Sequence, residues 1–212
     1  MSIFKDIFKR KTNASLDSLS FETARYCFKG EANDERTWFT PDGDAVSLCF
    51  CSDPPKLPRE AHTGMELQEF YRGRVCNAQV TMFEFSLPRL ADTTCIWTAL
   101  KMQRKPHGMI YMGSLLIPFS AFWFIIKMQC DERGITGIRE AALLLTAQQE
   151  GKVTITPDGK VAGDWNPDDQ RHDEKFPDHP VSRLRREFGS IKETLRIHDP
   201  IKHEKRFDLP AA

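Results

Sequence analysis

An uncharged run of 19 residues, 108–126, constrains the fold of this chain more than any other feature of its sequence. The length of the run would suit a membrane-spanning helix. However, Pro118 lies near its middle, where a proline costs a helix about 3 kcal/mol. Residues 122–126 are all aromatic or β-branched, and these residue types favour strands. Beyond Ile126, polar and apolar side chains alternate through Cys130. We therefore predict two buried strands that meet at Pro118.

The run belongs to a longer segment, residues 79–131, in which hydrophobic side chains recur with a period of two. The segment predicts four strands, at residues 80–85, 94–102, 109–117 and 119–130. Their short connections favour an antiparallel meander. In the first strand we expect Thr81, Phe83 and Phe85 to face the core, because the opposite face carries the charged Glu84.

Three segments have helical periodicity. Thr63 and Glu66 form a capping box at the start of the first helix, which ends near residue 76. The second helix follows residues 134–137, and its expected apolar stripe consists of Ile138, Ala141, Ala142 and Leu145. The last helix begins near Pro180, a residue favoured in a first turn. Its apolar seam consists of Val181, Leu184, Phe188, Ile191 and Leu195.

These elements predict an α+β fold with a mainly antiparallel β-sheet of about six strands, flanked by helices. A small hairpin near residues 153–161 and the C-terminal helix complete it. We divide the chain into an N-terminal appendage (1–20) and an α+β sandwich core (21–151). Residues 152–212 then form an extension, made of the hairpin, an acidic loop and the last helix, that packs on the same domain.

The charge balance and the cysteines limit the classes of function. Thirty Lys and Arg residues balance 30 Asp and Glu residues, so no general attraction to nucleic acid is expected. The six cysteines are scattered through predicted strands and helices, and the N-terminus lacks the apolar core of a signal peptide. We expect free thiols in a cytoplasmic protein. The sequence also contains none of the phosphate-loop, dinucleotide or zinc-protease motifs, so no cofactor is predicted.

The N-terminal residues 1–11 carry a short amphipathic pattern. Ile3, Phe4, Ile7 and Phe8 follow helical spacing, and residues 9–11 are basic. A weak membrane-surface helix would show this pattern. A short helix folded onto the domain would show it too, and we favour that interpretation because so few turns bury little area.

The loop at residues 164–179 is the segment richest in metal-ligand side chains. Asp168, His172 and His179 are candidates for a divalent metal site or an acid–base centre. We favour the alternative of an acidic surface loop that pairs with the basic flank of the last helix. The glycine turn 134–137, with Arg133 and Arg139 beside it, could hold an anion, although such turns are common connectors.

The order of the elements resembles that of a known fold group. Two strands are followed by a helix, four antiparallel strands and a second helix, and residues 38–44 come before the first helix. This order is similar to the PsbP-like α/β/α sandwich, which includes the bacterial DcrB-type proteins. The resemblance covers about residues 25–150 and rests on element order, while residues 176–183 and the last helix look like an extension seen in uncharacterised bacterial proteins. It implies a non-catalytic binding or accessory role, and it transfers no functional residue.

The function expected from the sequence is therefore a non-catalytic protein-binding or chaperone-like domain, with another protein as its partner. The partner would dock on one face of the sheet or on an exposed seam of the last helix, which involves Val181, Arg183, Leu184, Arg186 and Phe188. One alternative is a small hydrolase or metal-dependent enzyme that uses residues 164–179. Another is peripheral membrane association through residues 1–11.

Overall fold

A seven-stranded antiparallel sheet organises the molecule. The computed structural model describes residues 13–58, 61–104 and 108–210. Its strands are β1 (Leu19–Ser20), β2 (Cys27–Ala32), β3 (Glu35–Phe39), β4 (Ala45–Cys51), β5 (Val80–Ser86), β6 (Arg89–Leu90), β7 (Thr93–Thr94), β8 (Ile96–Gln103), β9 (Met109–Pro118), β10 (Trp123–Asp131), β11 (Val153–Ile155), β12 (Val161–Gly163) and β13 (Arg196–Ile197). The main sheet has the order β2-β3-β4-β10-β9-β8-β5. The predicted α+β class with an antiparallel sheet is confirmed.

In the described residues, three helices accompany the sheet: α1 (Gly64–Val75), α2 (Ile138–Gln149) and α3 (Pro180–Thr194). Short 3-10 turns occur at Leu16–Ser18 and Gln170–Lys175. The capping box predicted for α1 is present, because the Thr63 hydroxyl accepts from the Glu66 amide and the Glu66 carboxylate accepts from the Thr63 amide. In the described parts of the chain, no helix is long and apolar enough to cross a membrane.

The uncharged run forms two strands as predicted, β9 and the start of β10, but residues 119–122 connect them, so the second strand begins at Trp123 and not at residue 119. The two strands pair from Trp123 opposite Pro118 to Asp131 opposite Ile110. On one face, Phe124 and Ile126 are fully buried, whereas Trp123 and Ile125 on the other face are half-buried. The run is therefore central to the core on one face of the sheet and only partly covered on the other.

The core face expected for the first meander strand, β5, is only partly confirmed. Phe83 packs against the main core, whereas Thr81 is exposed and Phe85 packs against a smaller cluster that includes Leu67 of α1. Met82, expected on the outer face, is buried. A bulge between Met82 and Glu84 interrupts the pairing with β8 and shifts the alternation. We expected the charge of Glu84 to turn its side of the strand toward solvent. Instead, the Glu84 carboxylate accepts hydrogen bonds from Trp97 Nε1 (3.0 Å) and Arg185 Nε (2.8 Å).

Helix α3 lies against β9 and β10, and its seam is inside the protein. The five seam residues Val181, Leu184, Phe188, Ile191 and Leu195 all belong to the main core. Gly113 of β9 permits this close approach, since a Cβ there would lie 2.7 Å from both Phe188 and Trp97. The seam is apolar as predicted, but its expected exposure was wrong, because the sheet needs this helix to cover its buried face.

Helix α2 presents the opposite face from the one we expected. Ile138 and Leu145 of the predicted stripe are exposed, whereas Arg139, Leu143 and Ala147 are buried. The buried arginine has a polar network that fixes the rotation of the helix, as described below.

The predicted N-terminal appendage ends earlier than residue 20. Leu16 and Leu19 belong to the main core, and β1 pairs with β13 near the other end of the chain. The expected amphipathic helix at residues 1–11 lies outside the described residues.

Candidate functional site

Glu132 follows directly after β10 and is held by two backbone amides. Its Oε2 accepts from the Met109 amide (2.9 Å), and its Oε1 accepts from the Gly137 amide (3.0 Å). Gly137 has φ = 75°, a left-handed conformation that glycine adopts readily, and it caps the N-terminus of α2. The turn 134–137, which we considered for an external anion, therefore already binds the protein's own carboxylate.

Glu140 lies in the first turn of α2 and reaches toward the sheet. Its Oε1 accepts from the hydroxyl of Tyr111 in β9 (3.2 Å), while its Oε2 is buried without a hydrogen-bond partner among the described residues. Burial and then the charge of Glu140 raise the pKa of Tyr111. The phenol therefore remains a hydrogen-bond donor to the carboxylate.

His179 is the N-cap residue of α3, and its ring geometry fixes its tautomer. The ring Nδ1 accepts from the Val181 amide (3.3 Å), so Nδ1 has no proton and the neutral ring carries its proton on Nε2. Burial and then the charges of Arg139 and Arg183 lower the pKa of His179 to about 3. At neutral pH the ring is therefore uncharged, with Nε2 as a donor.

The His179 Nε2 atom faces the two glutamates without bonding to either. It lies 4.0 Å from Glu132 Oε1 and 3.9 Å from Glu140 Oε1, which is too long for a hydrogen bond. The side chains of His179 and Glu132 are only 9% and 6% exposed, and Nε2 has no partner in the described part of the chain. We call Glu132, Glu140 and His179 the Glu–Glu–His cluster, and their ligand-type atoms lie within 4.8 Å of one another.

A cleft of about 340 Å³ opens beside this cluster. Lys101, Tyr111, Glu132 and Glu140 contribute to its lining. Lys101 is itself paired with Asp168. Among the described residues, no lysine or arginine nitrogen lies within 4.0 Å of either cluster carboxylate. The cleft therefore borders two carboxylates that lack a basic partner at contact distance.

Arg139 connects the elements behind the cluster and is fully buried. Its guanidinium donates to Asp173 Oδ1 (2.9 Å), the Ser182 hydroxyl (2.8 Å) and the backbone oxygens of Pro167 (2.7 Å) and Asp169 (2.9 Å). These four bonds tie α2 to the acidic loop and to α3. They also place Glu140, the next residue along α2, against Tyr111.

The three predicted metal candidates are not brought together. Asp168 is buried and bonded to Lys101, while His172 is half-buried and lines a separate cleft of about 500 Å³ with Asp169. Only His179 belongs to a group with metal-ligand spacing within the described residues. The favoured alternative, an acidic loop paired with basic side chains of the last helix, fits Asp173, which accepts from Arg185 (3.0 Å).

The predicted partner-binding residues lie in the interior or in ion pairs. Val181, Leu184 and Phe188 are core residues. Arg183 is buried and donates to both Asp44 oxygens, at 2.7 and 2.9 Å. Arg186 is partly exposed and donates to Asp42 (2.7 Å). The three apolar side chains therefore cannot meet a partner while α3 is folded.

Two features relevant to function were missed from the sequence. Glu132 and Glu140 had no pattern that linked them to His179, although Glu132 ends a strand and Glu140 begins a helix. The exposure of three apolar residues was also missed, since Ile135, Ile138 and Leu145 are 78%, 50% and 61% exposed. We call these three residues the α2 stripe.

Comparisons with known proteins do not assign this chain to a family. No protein-family model matches this sequence, and no curated protein sequence is significantly similar to it. A solved structure from Bacteroides thetaiotaomicron is similar at a TM-score of 0.35 and 8% identity, with 72% of this chain and 47% of that chain covered. The chain thus spans about half the length of that protein.

A second solved structure is LpqN, involved in cell envelope biogenesis of Mycobacterium tuberculosis. It is similar at a TM-score of 0.32 and 10% identity, with 62% of this chain and 78% of that chain covered. At these TM-scores, neither similarity supports an argument about the function of this protein.

Proposed function

We propose that this chain is a non-catalytic binding protein whose ligand site is the Glu–Glu–His cluster with its adjoining cleft. One observation carries the proposal: His179 Nε2 and Glu140 Oε2 are both buried and both lack a partner among the described residues. Buried polar atoms are almost always hydrogen-bonded, and an unsatisfied one costs about 1–3 kcal/mol. A bound ligand would satisfy both atoms at once.

The protonation state of His179 favours ligand binding over acid–base catalysis. A general base works best with a pKa near the operating pH. The pKa of His179 is about 3, and Nδ1 is occupied by the Val181 amide. At neutral pH the ring is therefore uncharged and is a poor general base.

The fold group and the cellular location expected from the sequence are also part of this proposal. A helix, four antiparallel strands and a second helix follow one another as in the PsbP-like group, whose members are mainly binding or accessory proteins, and this supports membership. Three strands of the main sheet precede the first helix, however, where two were expected. The six cysteines are free thiols, which supports a cytoplasmic location. Fractionation of cells that express the protein tests the location, and recovery outside the cytoplasm would contradict it.

Thermal unfolding of the ligand-free protein tests whether the cluster exists for binding or for stability. Glu140→Gln removes one of two neighbouring carboxylates and keeps an acceptor for Tyr111. His179→Asn removes Nε2 and keeps a good N-cap acceptor for Val181. We expect each variant to melt at or above the wild-type temperature, because residues that serve binding are commonly suboptimal for stability. Two variants that both melt about 5 °C or more below wild type would show that the cluster is structural.

A second candidate function, docking of another protein, is favoured by the α2 stripe. Single exposed apolar side chains are ordinary, but three within one segment, residues 135–145, can mark an interaction surface. This surface replaces the α3 seam as the expected docking face. Tagged full-length protein should retain a stoichiometric partner that the Ile138→Gln/Leu145→Gln double variant loses. Equal recovery of the partner by both proteins, or no partner with wild type, would reject this candidate.

A further inference from the structure

We infer that the ligand of the Glu–Glu–His cluster is a divalent first-row transition-metal ion, such as Zn²⁺ or Mn²⁺, bound by Glu132, Glu140 and His179. This inference rests on the proposed ligand-binding function. Two carboxylates and one imidazole form a ligand set typical of such ions, whereas Mg²⁺ and Ca²⁺ prefer oxygen ligands alone.

The separations in the cluster are close to those around a bound metal. Zinc bonds of about 2.0–2.2 Å in tetrahedral geometry place neighbouring ligand atoms about 3.4 Å apart. The two Nε2–Oε1 separations are 4.0 and 3.9 Å. A closure of roughly half an ångström, within reach of small side-chain rotations, would bring both nitrogen–oxygen pairs to this separation, and all three ligand atoms already lie within 4.8 Å of one another.

The charge of the cluster also suits a cation. Glu132 and Glu140 both approach the same nitrogen, and neither has a lysine or arginine nitrogen within 4.0 Å among the described residues. Glu132 is almost completely buried. Neighbouring negative charges are costly in a poorly solvated site, and a divalent ion would compensate them.

Other groups already orient the two carboxylates. Two backbone amides hold Glu132, and the Tyr111 hydroxyl holds Glu140. Such outer contacts are typical of metal sites, because they fix the direction of each ligand. The cleft beside Glu132 and Glu140 leaves room for a further ligand, such as water, on the metal.

Metal binding would change the tautomer of His179. Coordination needs the lone pair of Nε2, so the ring proton must move to Nδ1, and the bond from the Val181 amide is lost. The loss of a cap costs about 1 kcal/mol. The His179 carbonyl still accepts from the amides of Ser182 and Arg183, both at 3.0 Å, and keeps the helix start in place. A bridging water in the cluster would require no such change, which makes the tautomer a discriminating observable.

Titration calorimetry on the tag-free full chain tests the inference. We expect Zn²⁺ or Mn²⁺ to bind one site at micromolar concentration or tighter, and Mg²⁺ to bind at least tenfold more weakly. Glu140→Gln and His179→Asn should each weaken binding at least tenfold. Glu150→Gln, just beyond the C-terminal end of α2, is the matched control and should leave the affinity unchanged. Proton–nitrogen NMR of the His179 ring with Zn²⁺ should show the proton move from Nε2 to Nδ1.

The outcomes separate this inference from the function on which it rests. Absence of Zn²⁺ and Mn²⁺ binding, with ligand-free variants at least as stable as wild type, would overturn the metal and leave the ligand-binding proposal standing. Metal binding that is insensitive to both variants would also overturn the inference, because the ions would then lie elsewhere. Absence of metal binding with both variants destabilised would reject both proposals and assign a structural water to the cluster.

Discussion

Helices α2 and α3 follow opposite rules for which face is buried. In α3 the apolar residues at helical spacing point into the core, and Phe188 packs on Trp97 with ring centroids 4.3 Å apart. In α2 the residue at the centre of the packing is Arg139, while Ile138 and Leu145 face outward. In α3 the apolar seam and the buried pair of Arg183 with Asp44 agree on one orientation, whereas in α2 the network of Arg139 overrides the expected apolar stripe.

The difference between the two helices has an energetic basis. Burial of an apolar seam needs only a matching apolar surface, and the sheet supplies one. Burial of an arginine needs a partner for each donor, and four such bonds exist only when α2 has one particular rotation. Helix α2 carries apolar side chains on more than one face, so its buried arginine decides which face packs inward.

The largest expected effect is in the core beneath α3. Phe188→Ala should lower the free energy of unfolding by about 3–5 kcal/mol, because it leaves a cavity against Trp97 and Gly113. Urea denaturation measures this loss. Phe28→Ala, at an exposed position, is the control and should cost less than about 1 kcal/mol. Similar losses of stability in the two variants would show that α3 is not part of the core.

The second-largest effect is expected in the polar network that orients α2. Arg139→Met should lower the free energy of unfolding by about 3 kcal/mol, because it leaves Ser182 and two backbone oxygens without their donor. The exposed Arg104, paired with Asp131, provides a matched control, and Arg104→Met should cost less than about 1 kcal/mol. An Arg139→Met protein as stable as wild type would show that the network does not orient α2.

Alkaline pH should weaken the core beneath α3 through Cys95. Burial raises the pKa of this thiol from 9.0 to about 12. Between these values the unfolded state loses the thiol proton and the folded state keeps it, so stability is complete below pH 9 and falls as pH rises toward 12. The loss is at most about 1.4 kcal/mol per pH unit. Urea denaturation above pH 9 should show a shallower decline for Cys95→Ala, and an equal decline would contradict the assignment.

The smallest effect is expected on the exposed face of α2. Leu145→Gln should change the free energy of unfolding by no more than about 0.5 kcal/mol. Leu143→Gln, on the buried face of the same helix, should cost about 2 kcal/mol or more. Thermal or urea unfolding of the pair measures the contrast. If Leu145→Gln destabilised the protein more than Leu143→Gln, the helix orientation that we expected from the sequence would be correct.

Local patterns predicted much of the fold. The meander, the capping box at Thr63, the start of α3 at Pro180 and the burial of the uncharged run all depend on neighbouring residues. The failures occurred where distant contacts compete with a local pattern. The bulge in β5 separates Phe83, which packs against the main core, from Phe85, which packs against a smaller cluster, and the network of Arg139 turned α2.

The candidate site was predicted only in part, for the same reason. His179 was recognised as a possible metal ligand, but the other ligands were expected to be Asp168 and His172 in the same loop. The structure instead brings Glu132 and Glu140 to it from the end of β10 and the start of α2. No spacing in the sequence reveals such a meeting, because it depends on how α2 and α3 pack at one end of the sheet.

The sequence by itself determined the period of each segment, and therefore the α+β class, the antiparallel meander and the apolar seam of the last helix. These properties follow from side chains a few residues apart along the chain. Only the tertiary structure decided which helix faces are buried and which charged groups meet. Those outcomes depend on the partners available across the whole molecule, and for Arg139 and His179 the partners lie in other elements of the fold.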